Sequence, residues 1–328
     1  MSEETSSLVF QPAPVDIGKR LDAYLAENID GWSRSRLQRL IENEDVLVND
    51  KAVKPSYKLH ENDEVEVDLI EVPVARFEPE DIPLDIVFED EYLAVINKPA
   101  GMVVHPGAGV QSGTLANAIS YHFGLGILDF GLQNDDEKSK IQDLKSKIGI
   151  VHRLDKDTSG LIVVAKTDEI HEALSEQFRE REVYKSYVAL VHGSPDQNMG
   201  KIDAPIGRNK HNRLRMKVAT HGRSALSLWK VRTRYDKFTL LDVEIKTGRT
   251  HQIRVHMGYI NHPVVGDEIY NEGRDNTVAD TNIRNAIASM PRFFLHAERL
   301  SFTHPKTKER MEFIQPLPFD LTDFLQLL

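Results

Sequence analysis

The sequence predicts an α+β protein of two domains, and three observations carry this prediction. The chain has 328 residues, which is enough for a small and a large domain. Residues 15–70 hold helical and strand-like patterns, and an acidic, proline-containing segment follows them. Further on, apolar runs typical of strands are mixed with segments of helical spacing. The apolar fraction of 40% and the charged fraction of 28% are those of an ordinary globular protein.

Composition shifts set the predicted domain boundaries. The first residues are polar and contain proline, which is typical of a loose chain terminus. Pro73, Pro79 and Pro83 interrupt the acidic segment, as expected for a linker. The predicted organisation is a flexible N-terminus over 1–14, a small domain over 15–70, a linker over 71–83 and a large domain over 84–328.

Composition also excludes several classes of protein. The chain contains no cysteine, which excludes disulfides, thiolate zinc sites and cysteine nucleophiles. No apolar run is long enough to span a membrane, and residues 1–14 lack the basic and apolar regions of a signal peptide. A cytoplasmic protein without a membrane partner is therefore expected.

Charge is distributed unevenly along the chain. The net charge of −10 argues at first against a nucleic-acid partner, because phosphate binding is largely electrostatic. Residues 61–91 contain thirteen carboxylates and one base, whereas residues 201–234 contain ten bases and one carboxylate. The basic segment therefore favours one face that binds a polyanion. The alternative is that the fold interleaves the two segments and cancels the field.

Two helices and two strands are predicted in the small domain. Apolar residues recur at helical spacing from Leu21 to Ile29, and Ser33 is a suitable N-cap for a second helix. Three arginines lie off the apolar side of this second helix, namely Arg34, Arg36 and Arg39. Short valine-rich runs at 46–48 and 65–67 predict strands.

Strands dominate the predicted large domain. An apparent hairpin joins 86–88 to 92–96, and the other strands are predicted at 161–165, 183–191, 240–245, 294–297 and 313–316. Helices are predicted at 114–123 and 168–182, and 271–291 is expected to be a surface loop with a helical piece.

The most informative stretch is GIVHRLDKDTSGLIVVAK at 149–166. Its apolar end predicts a buried strand, and the Thr-Ser-Gly before it predicts a turn. Asp155 therefore lies on a loop that enters a core strand, where a rigid scaffold can present a side chain. Arg153 and Lys156 should keep this carboxylate ionised. A structural ion pair is the commoner reason for such a loop, so the chemistry alone leaves both interpretations open.

The run HRLDKDTSG at 152–160 resembles the signature of the RluA-type pseudouridine synthases. A match of this length is far more specific than a motif of two or three residues. The resemblance implies that Asp155 is the catalytic residue. It makes Arg153 a candidate for holding the flipped-out nucleotide or its backbone.

Further motifs extend the resemblance over nearly the whole chain. Tyr187 stands in a Lys-x-Tyr-x-Ala context, which implies that its ring stacks on the target base, although strand packing is the default role of such a tyrosine. The run TGRTHQIRVHM at 247–257 resembles a third motif. It implies that Arg254 pairs with Asp155 and that Ile253 lines the base pocket.

The small domain resembles S4 RNA-binding domains in the runs SRSRL at 33–37 and VLVNDK at 46–51. This resemblance implies that the helix bearing Arg34, Arg36 and Arg39 faces an RNA backbone.

A second basic region is expected around a hairpin tip in the large domain. Its Arg208, Arg213 and Arg215 would grip the RNA backbone, which positions RNA without reading its sequence. Residues 124–147 depart from the family pattern and are expected to form a flexible surface excursion.

The resemblance implies a catalytic domain with a mixed, mainly antiparallel sheet and flanking helices. The implied reaction is the isomerisation of uridine to pseudouridine in RNA, and the chain is most like family members that carry an S4 domain and act on large-subunit (23S) rRNA. No redox change or external energy is needed, so neither a cofactor nor a metal is expected. The expected partner is large-subunit rRNA, either free or within an assembling ribosomal subunit, and a monomer is expected.

Two other classes remain open. One is a non-catalytic RNA-binding factor, and the joint presence of Asp155, Tyr187 and Arg254 weighs against it. The other is a metal-dependent glycosyl-transfer enzyme in which Asp155 and Asp157 would bind the metal, and added chelator would discriminate it. Within the favoured class, Asp155 could act as nucleophile or as general base.

Overall fold

The computed structural model describes residues 6–29, 37–38, 40–41, 45–69, 78–106, 110, 112–124, 149–209 and 215–328. Four of the predicted RNA-binding residues lie outside this part of the chain, namely Arg34, Arg36, Arg39 and Arg213. Residues 71–77 of the predicted linker and residues 125–147 of the predicted surface excursion also lie outside it. The chain forms two units, Met1–Arg76 and Phe77–Leu328.

The first unit is a small antiparallel sheet with helices packed on it. Its elements are β1 (Ser6–Phe10), a 3-10 helix (Pro14–Asp16), α1 (Leu21–Asn28), β2 (Val46–Val48), β3 (Lys51–Ala52) and β4 (Val65–Leu69). The strand order is β1–β4–β2–β3, with antiparallel neighbours throughout. The predicted helix at 21–29 and both predicted strands are therefore confirmed.

Apolar side chains from helix and sheet form the core of this unit. Leu21 and Leu25, one helical turn apart in α1, are fully buried. They share a cluster with Leu37 and Leu40, which are themselves helical, and with the valines of β2 and β4. The apolar face of the helices follows helical spacing, and the apolar face of the sheet follows strand alternation. The two faces are thus buried against each other.

The prediction of a flexible terminus over 1–14 is wrong for Ser6–Phe10. These residues form β1, which pairs with β4 in a register from Ser6 opposite Leu69 to Phe10 opposite Val65. The ladder satisfies the backbone groups of an otherwise exposed segment. Phe10 also packs on the core of the unit, with its ring edge-on to Tyr24.

The second unit is built on one mixed sheet and a small ribbon. Its strands are β5 (Ile86–Glu89), β6 (Leu93–Lys98), β7 (Gly149–Ile150), β8 (Ser159–Ala165), β9 (Tyr184–His192), β10 (Met199–Asp203), β11 (Ile206–Arg208), β12 (Met216–Val218), β13 (Leu226–Arg234), β14 (Phe238–Ile245), β15 (Leu295–Thr303) and β16 (Arg310–Ile314). The sheet order is β10–β13–β14–β9–β15–β8–β6–β5, with β16 beside β15 and β7 beside β8. The ribbon consists of β11 and β12.

The pairing within this sheet confirms the predicted mixed, mainly antiparallel architecture. β8 and β15 run parallel, and the other pairs of neighbouring strands in the described part of the sheet are antiparallel. The β11–β12 ribbon has the geometry expected for a hairpin, and the intervening tip lies outside the described residues.

Helices cover the sheet on both faces. They are α2 (Leu115–His122), α3 (Asp168–Arg179), α4 (Gln252–Tyr259), α5 (Thr281–Ser289) and α6 (Phe319–Leu325), with a 3-10 helix at Arg274–Thr277. Thr114 caps α2 and Thr167 caps α3, each through a side-chain oxygen that accepts an N–H of the first turn. The predicted helix at 168–182 therefore exists but ends at Arg179.

The strand that follows the catalytic-loop motif lies at the centre of the core. Every residue of β8 is buried. Leu161 and Val163 pack with α3 on one face, whereas Ile162 and Val164 belong to the larger cluster that includes residues of α2 and α4. A strand covered on both faces reads as a continuous apolar run, which is the pattern seen in the sequence.

The second unit begins earlier than the predicted start at residue 84. The side-chain amide of Asn117 donates to the carbonyl of Glu78 at 2.8 Å, and the carboxylate of Glu80 accepts the N–H of Gly113 at 3.0 Å. The end of the predicted linker is therefore bound to α2 and its N-terminal approach.

No helix in the described residues is both long and apolar enough to cross a membrane.

Gly160 lies opposite Ala297 where β8 pairs with β15. Its φ is +113°, and a Cβ added there would lie 2.3 Å from the carbonyl oxygen of Ala297. The sheet therefore requires glycine at this position, both for the backbone conformation and for the space.

We predict that Gly160→Ala lowers the free energy of unfolding by about 2 to 4 kcal/mol, because it combines backbone strain with overpacking. Urea denaturation measures the change. The matched control is Gly258→Ala in α4, where an added Cβ would lie 3.5 Å from the carbonyl oxygen of Tyr270, an ordinary contact distance. That change should stabilise the helix by about 0.5 to 1 kcal/mol, and equal effects of the two substitutions would contradict the analysis.

Candidate active site

A cavity of about 690 Å³ opens in the second unit where the loop before β8, the strand β9 and the start of α4 meet. Five residues singled out in the sequence line this cavity together, namely Arg153, Asp155, Tyr187, Ile253 and Arg254. They come from three motifs that are far apart in the chain. The fold therefore brings the three motifs to one place.

The loop that carries Asp155 is held by a buried lysine. Lys98, at the end of β6, is fully buried and donates to the carbonyls of Pro99, Met102 and Lys156 at 2.7, 2.8 and 3.0 Å. Burial lowers the pKa of Lys98 to about 7, against the opposing charges of Asp157 and Asp155. An ammonium has three donors, and here all three meet a carbonyl.

Two backbone hydrogen bonds tighten the same loop. The N–H of Thr158 donates to the carbonyl of Asp155 at 3.2 Å, and the N–H of Gly101 donates to the carbonyl of Lys156 at 2.9 Å. The segment 99–102 thus supports the neighbour of Asp155 directly.

A buried arginine lies between two carboxylates at the wall of the cavity. Arg254 is 4% exposed, and its Nε and Nη2 donate to the two carboxylate oxygens of Asp267 at 2.6 and 2.9 Å. Its Nη1 donates to Asp155 at 3.2 Å, which is the pairing that the family resemblance implied. The fork of the guanidinium fixes the direction of the third donor once the first two are bound.

The surroundings of Arg254 preserve its charge. Burial alone would lower the pKa of Arg254, but the hydrogen bonds and charge of Asp267, together with the charge of Asp155, raise it above the ordinary value. The guanidinium also lies 4.2 Å from the ring centre of Phe293 and 5.1 Å from that of Tyr270. These rings offer favourable faces to the cation and restrict its movement.

Tyr187 presents its ring to the same cavity from the centre of the sheet. It is 6% exposed, and burial, followed by the negative charge of Asp155, raises the pKa of its phenol far above the ordinary value. Tyr184 lines a different groove on the other side of β9, as the alternation of the strand predicts.

Ile253 and Arg153 both line the cavity but differ in solvent exposure. Ile253 is buried at the start of α4, whereas Arg153 is exposed on the loop before Asp155. A buried apolar wall suits a nucleobase, and an exposed guanidinium suits a polar or charged group outside the pocket.

The first residue of the loop motif is placed for packing. The ring of His152 stacks on Phe178 at 4.6 Å, and its Nε2 accepts the N–H of Val163 at 3.0 Å. Burial, with a contribution from the charge of Lys185, lowers the pKa of His152 to about 3. His152 is therefore neutral and fastens the loop to β8 and α3.

Tyr270 joins the cavity to the base of the β11–β12 ribbon. Its hydroxyl accepts the N–H of Met216 and shares a hydrogen bond with Nδ1 of His251, each at 2.8 Å. Arg215 lies 5.5 Å from the ring centre of Tyr270, while Arg208 is exposed at the end of β11. The two described arginines of the predicted RNA-gripping set thus lie on the ribbon.

The sequence interpretation missed Asp267 and the loop-holding role of Lys98. Asp267 is fully buried, and besides Arg254 it accepts the N–H groups of Ile269 and Tyr270 at 3.1 and 3.2 Å. The available signal was an aspartate in the run HPVVGDEIY, which is mostly apolar apart from His262 and the adjacent Glu268. An acid in such a context is seldom buried without a cationic partner.

The described residues contain no group of three or more His, Asp or Glu side chains placed to hold a metal ion.

Comparison with known proteins agrees with this geometry. A family model described as RNA pseudouridylate synthase matches residues 92–259, and an S4 domain model matches residues 19–65. An uncharacterised RNA pseudouridine synthase of Bacillus subtilis (strain 168) is 41% identical over 94% of this chain and 93% of its own length. The ribosomal large subunit pseudouridine synthase D of Neisseria meningitidis (strain Z2491) is 42% identical over 100% of this chain and 83% of its own length.

The fold is also that of a solved relative. The human RNA pseudouridylate synthase domain containing 1 protein superposes with a TM-score of 0.55 at 26% identity, covering 75% of this chain and 89% of its own. Fold and site define an RNA-modifying enzyme with an accessory RNA-binding domain. The chain belongs to the RNA pseudouridine synthase family and carries an N-terminal S4 domain.

We predict that Asp267→Asn lowers kcat about a hundredfold with little change in KM, because a small misplacement of Asp155 is costly for the chemical step. The amide keeps one acceptor but turns an NH₂ group towards the guanidinium, which disrupts the bidentate pairing. Steady-state kinetics on an RNA substrate measures both constants.

Asp236→Asn is the matched control, since the side chain of Asp236 is 87% exposed. It should behave as wild type. A folded Asp267→Asn variant with an unchanged kcat would show that Arg254 needs no support from Asp267.

Proposed function

We propose that this protein converts uridine to pseudouridine in large-subunit rRNA. The observation that carries the proposal is its identity of 38–42% with five proteins named ribosomal large subunit pseudouridine synthase D, over 95–100% of this chain. The geometry of the cavity supports the chemistry, and the relatives support the choice of RNA.

The reaction is balanced within the nucleotide. The bond between N1 of uracil and C1′ of ribose breaks, the base turns, and a bond between C5 and C1′ forms. C5 loses a proton and N1 gains one, so no atom or electron is added or removed. The protein therefore has to activate the ribose, hold the freed base and move a proton.

Asp155 starts the reaction at the ribose. Its side chain is 17% exposed and lies on a loop fixed by Lys98 and by backbone hydrogen bonds. The hydrogen bond from Arg254 occupies one carboxylate oxygen, Oδ2, and the other oxygen carries no hydrogen bond from a described residue. A carboxylate aimed in this way is suited to nucleophilic or general-base work, because its direction is set before substrate arrives.

Tyr187 and Ile253 hold the base. The target uridine must leave the RNA stack to reach Asp155, and stacking on an aromatic ring compensates part of that cost. Tyr187 offers a ring whose phenol stays neutral, and Ile253, from the motif at 247–257, offers an apolar wall. Arg153, exposed beside Asp155, binds the flipped-out nucleotide or its backbone.

The RNA outside the cavity is held by basic side chains in both units. Backbone phosphates are bound by Arg34, Arg36 and Arg39 of the S4 domain and by Arg208, Arg213 and Arg215 of the second unit. Such contacts position an RNA without reading its sequence. We place the protein in the cytoplasm as a monomer that acts on rRNA, free or within an assembling subunit.

Loss of the gene should remove one or a few clustered pseudouridines from large-subunit rRNA, and wild type should restore them while Asp155→Asn should not. Pseudouridine mapping of all rRNA and tRNA from the source cells measures this. Losses confined to tRNA would overturn the proposed substrate, and restoration by Asp155→Asn would overturn the role of Asp155.

Asp155→Asn should still bind rRNA with an affinity close to that of wild type, since the substitution leaves the basic side chains in place. Retained binding with lost activity would separate the enzyme from a non-catalytic binding factor. Addition of a chelator to the wild-type reaction should leave the rate unchanged.

A further inference from the structure

Four Lys or Arg side chains in the described part of the protein are buried, and three of them have partners that explain their burial. Lys98 donates to three carbonyls, Arg254 binds two carboxylates, and Arg292 binds the carboxylate of Asp320 at 2.7 and 3.0 Å. The fourth, Lys185 on β9, is 8% exposed. Among the described residues, no carboxylate lies within 4.0 Å of its Nζ and no group accepts a hydrogen bond from it.

The contacts that Lys185 does make leave its charge uncompensated. Its Nζ lies 5.1 Å from the ring centre of Phe178, whose other contacts include the stacked ring of His152. Its charged neighbour is Lys246, and burial together with the charge of Lys246 lowers the pKa of Lys185 to about 8. Lys185 therefore stays mostly protonated at neutral pH, as a cation without an anion.

Burying a cation without an anion is costly, so such a site requires a reason. The cavity that Lys185 lines supplies one, because its wall carries seven Lys and Arg side chains and a single carboxylate, that of Asp155. Arg179, Lys246 and Arg254 have carboxylate partners behind the wall, which leaves Lys185 among the cations of the wall that have none. A neutral group of a base would leave this excess of charge in place. An anionic group entering the cavity would compensate it, and the anion of an RNA chain is the phosphodiester.

The position of Lys185 on the strand decides which phosphodiester it can reach. Lys185 and Tyr187 are two residues apart on β9 and line the same cavity. Side chains with this spacing share one face of a strand and lie about 7 Å apart. A base on Tyr187 would therefore hold the neighbouring backbone over Lys185.

We propose that Lys185 binds the phosphodiester adjacent to the target uridine and so forms a phosphate subsite beside Tyr187. This inference rests on the proposed function and adds to it a residue that recognises the backbone from inside the cavity. The subsite differs from the exposed Arg208 of the ribbon, since the side chain of Lys185 is already largely buried before RNA arrives. Little further desolvation is then needed when the phosphate binds.

A purely structural role for Lys185 leads to a different expectation. If the ammonium stabilised the fold, Lys185→Met would lower the melting temperature. If its role is instead to bind a phosphate, the methionine side chain of the variant fills the same space on Phe178 without a buried charge. The melting temperature then stays the same or rises. Thermal unfolding of the whole protein without RNA separates the two.

The decisive experiment combines this variant with an altered substrate. Large-subunit rRNA fragments that contain the target uridine are prepared with one uncharged methylphosphonate linkage, either on its 5′ side or on its 3′ side. For wild type, one of the two linkages should raise KM about tenfold, with kcat changed much less. Lys185→Met should raise KM about tenfold on the unmodified RNA and show no further rise with that methylphosphonate, because the two changes remove the same contact.

Lys308→Met is the matched control, since Lys308 is exposed in the turn between β15 and β16, and it should behave as wild type on all three RNAs. Independent, multiplying effects of Lys185→Met and the methylphosphonates would overturn the subsite. An unchanged KM with a lowered kcat would overturn it too, and would assign Lys185 to the base. If wild type modifies no uridine in any large-subunit fragment, the proposed function itself fails, which is a distinct result.

Discussion

The hydrogen-bonded chain from Asp267 through Arg254 to Asp155 is the interaction on which the site depends. A buried guanidinium cannot be left without anions, because removing one partner exposes an uncompensated charge. Asp267 supplies a bidentate anchor, and the direction of the remaining Nη1 then follows from the planar geometry of the group. Asp155 is thus oriented by Arg254, which is itself fixed. The aromatic rings of Phe293 and Tyr270 close the space around the guanidinium of Arg254.

The sheet makes this chain of contacts possible. The β8 strand runs beside β15 and β6 and is buried on both faces, so the loop that precedes it has a rigid support. Gly160 permits the close approach to Ala297, and Lys98 fastens the loop from the side of β6. Loops on rigid scaffolds are where catalytic side chains are commonly found, and here the scaffold fixes the loop from both neighbouring strands.

Much of the fold and part of the site could be predicted from the sequence. A continuous apolar run identified β8, strand-like alternation identified β9 and helical spacing identified α1, because each of these patterns arises within one element. Contacts between distant segments could not be found in this way. Arg254 and Asp155 are 99 residues apart, and their pairing was expected only through the family motif. Three other features depend on residues that only the tertiary structure brings together. They are the role of Asp267, the pairing of β1 with β4, and the lack of a described carboxylate near Lys185.

The most direct test of this account is the structure of the protein bound to an rRNA fragment whose target is 5-fluorouridine, which cannot lose a proton from C5. We expect an unstacked base on the ring of Tyr187, with C1′ of its ribose about 3 to 3.5 Å from a carboxylate oxygen of Asp155. Arg254 should still bind Asp267 and Asp155 in the complex. A target nucleotide that lies outside the cavity, or an Asp155 carboxylate turned away from C1′, would contradict the account.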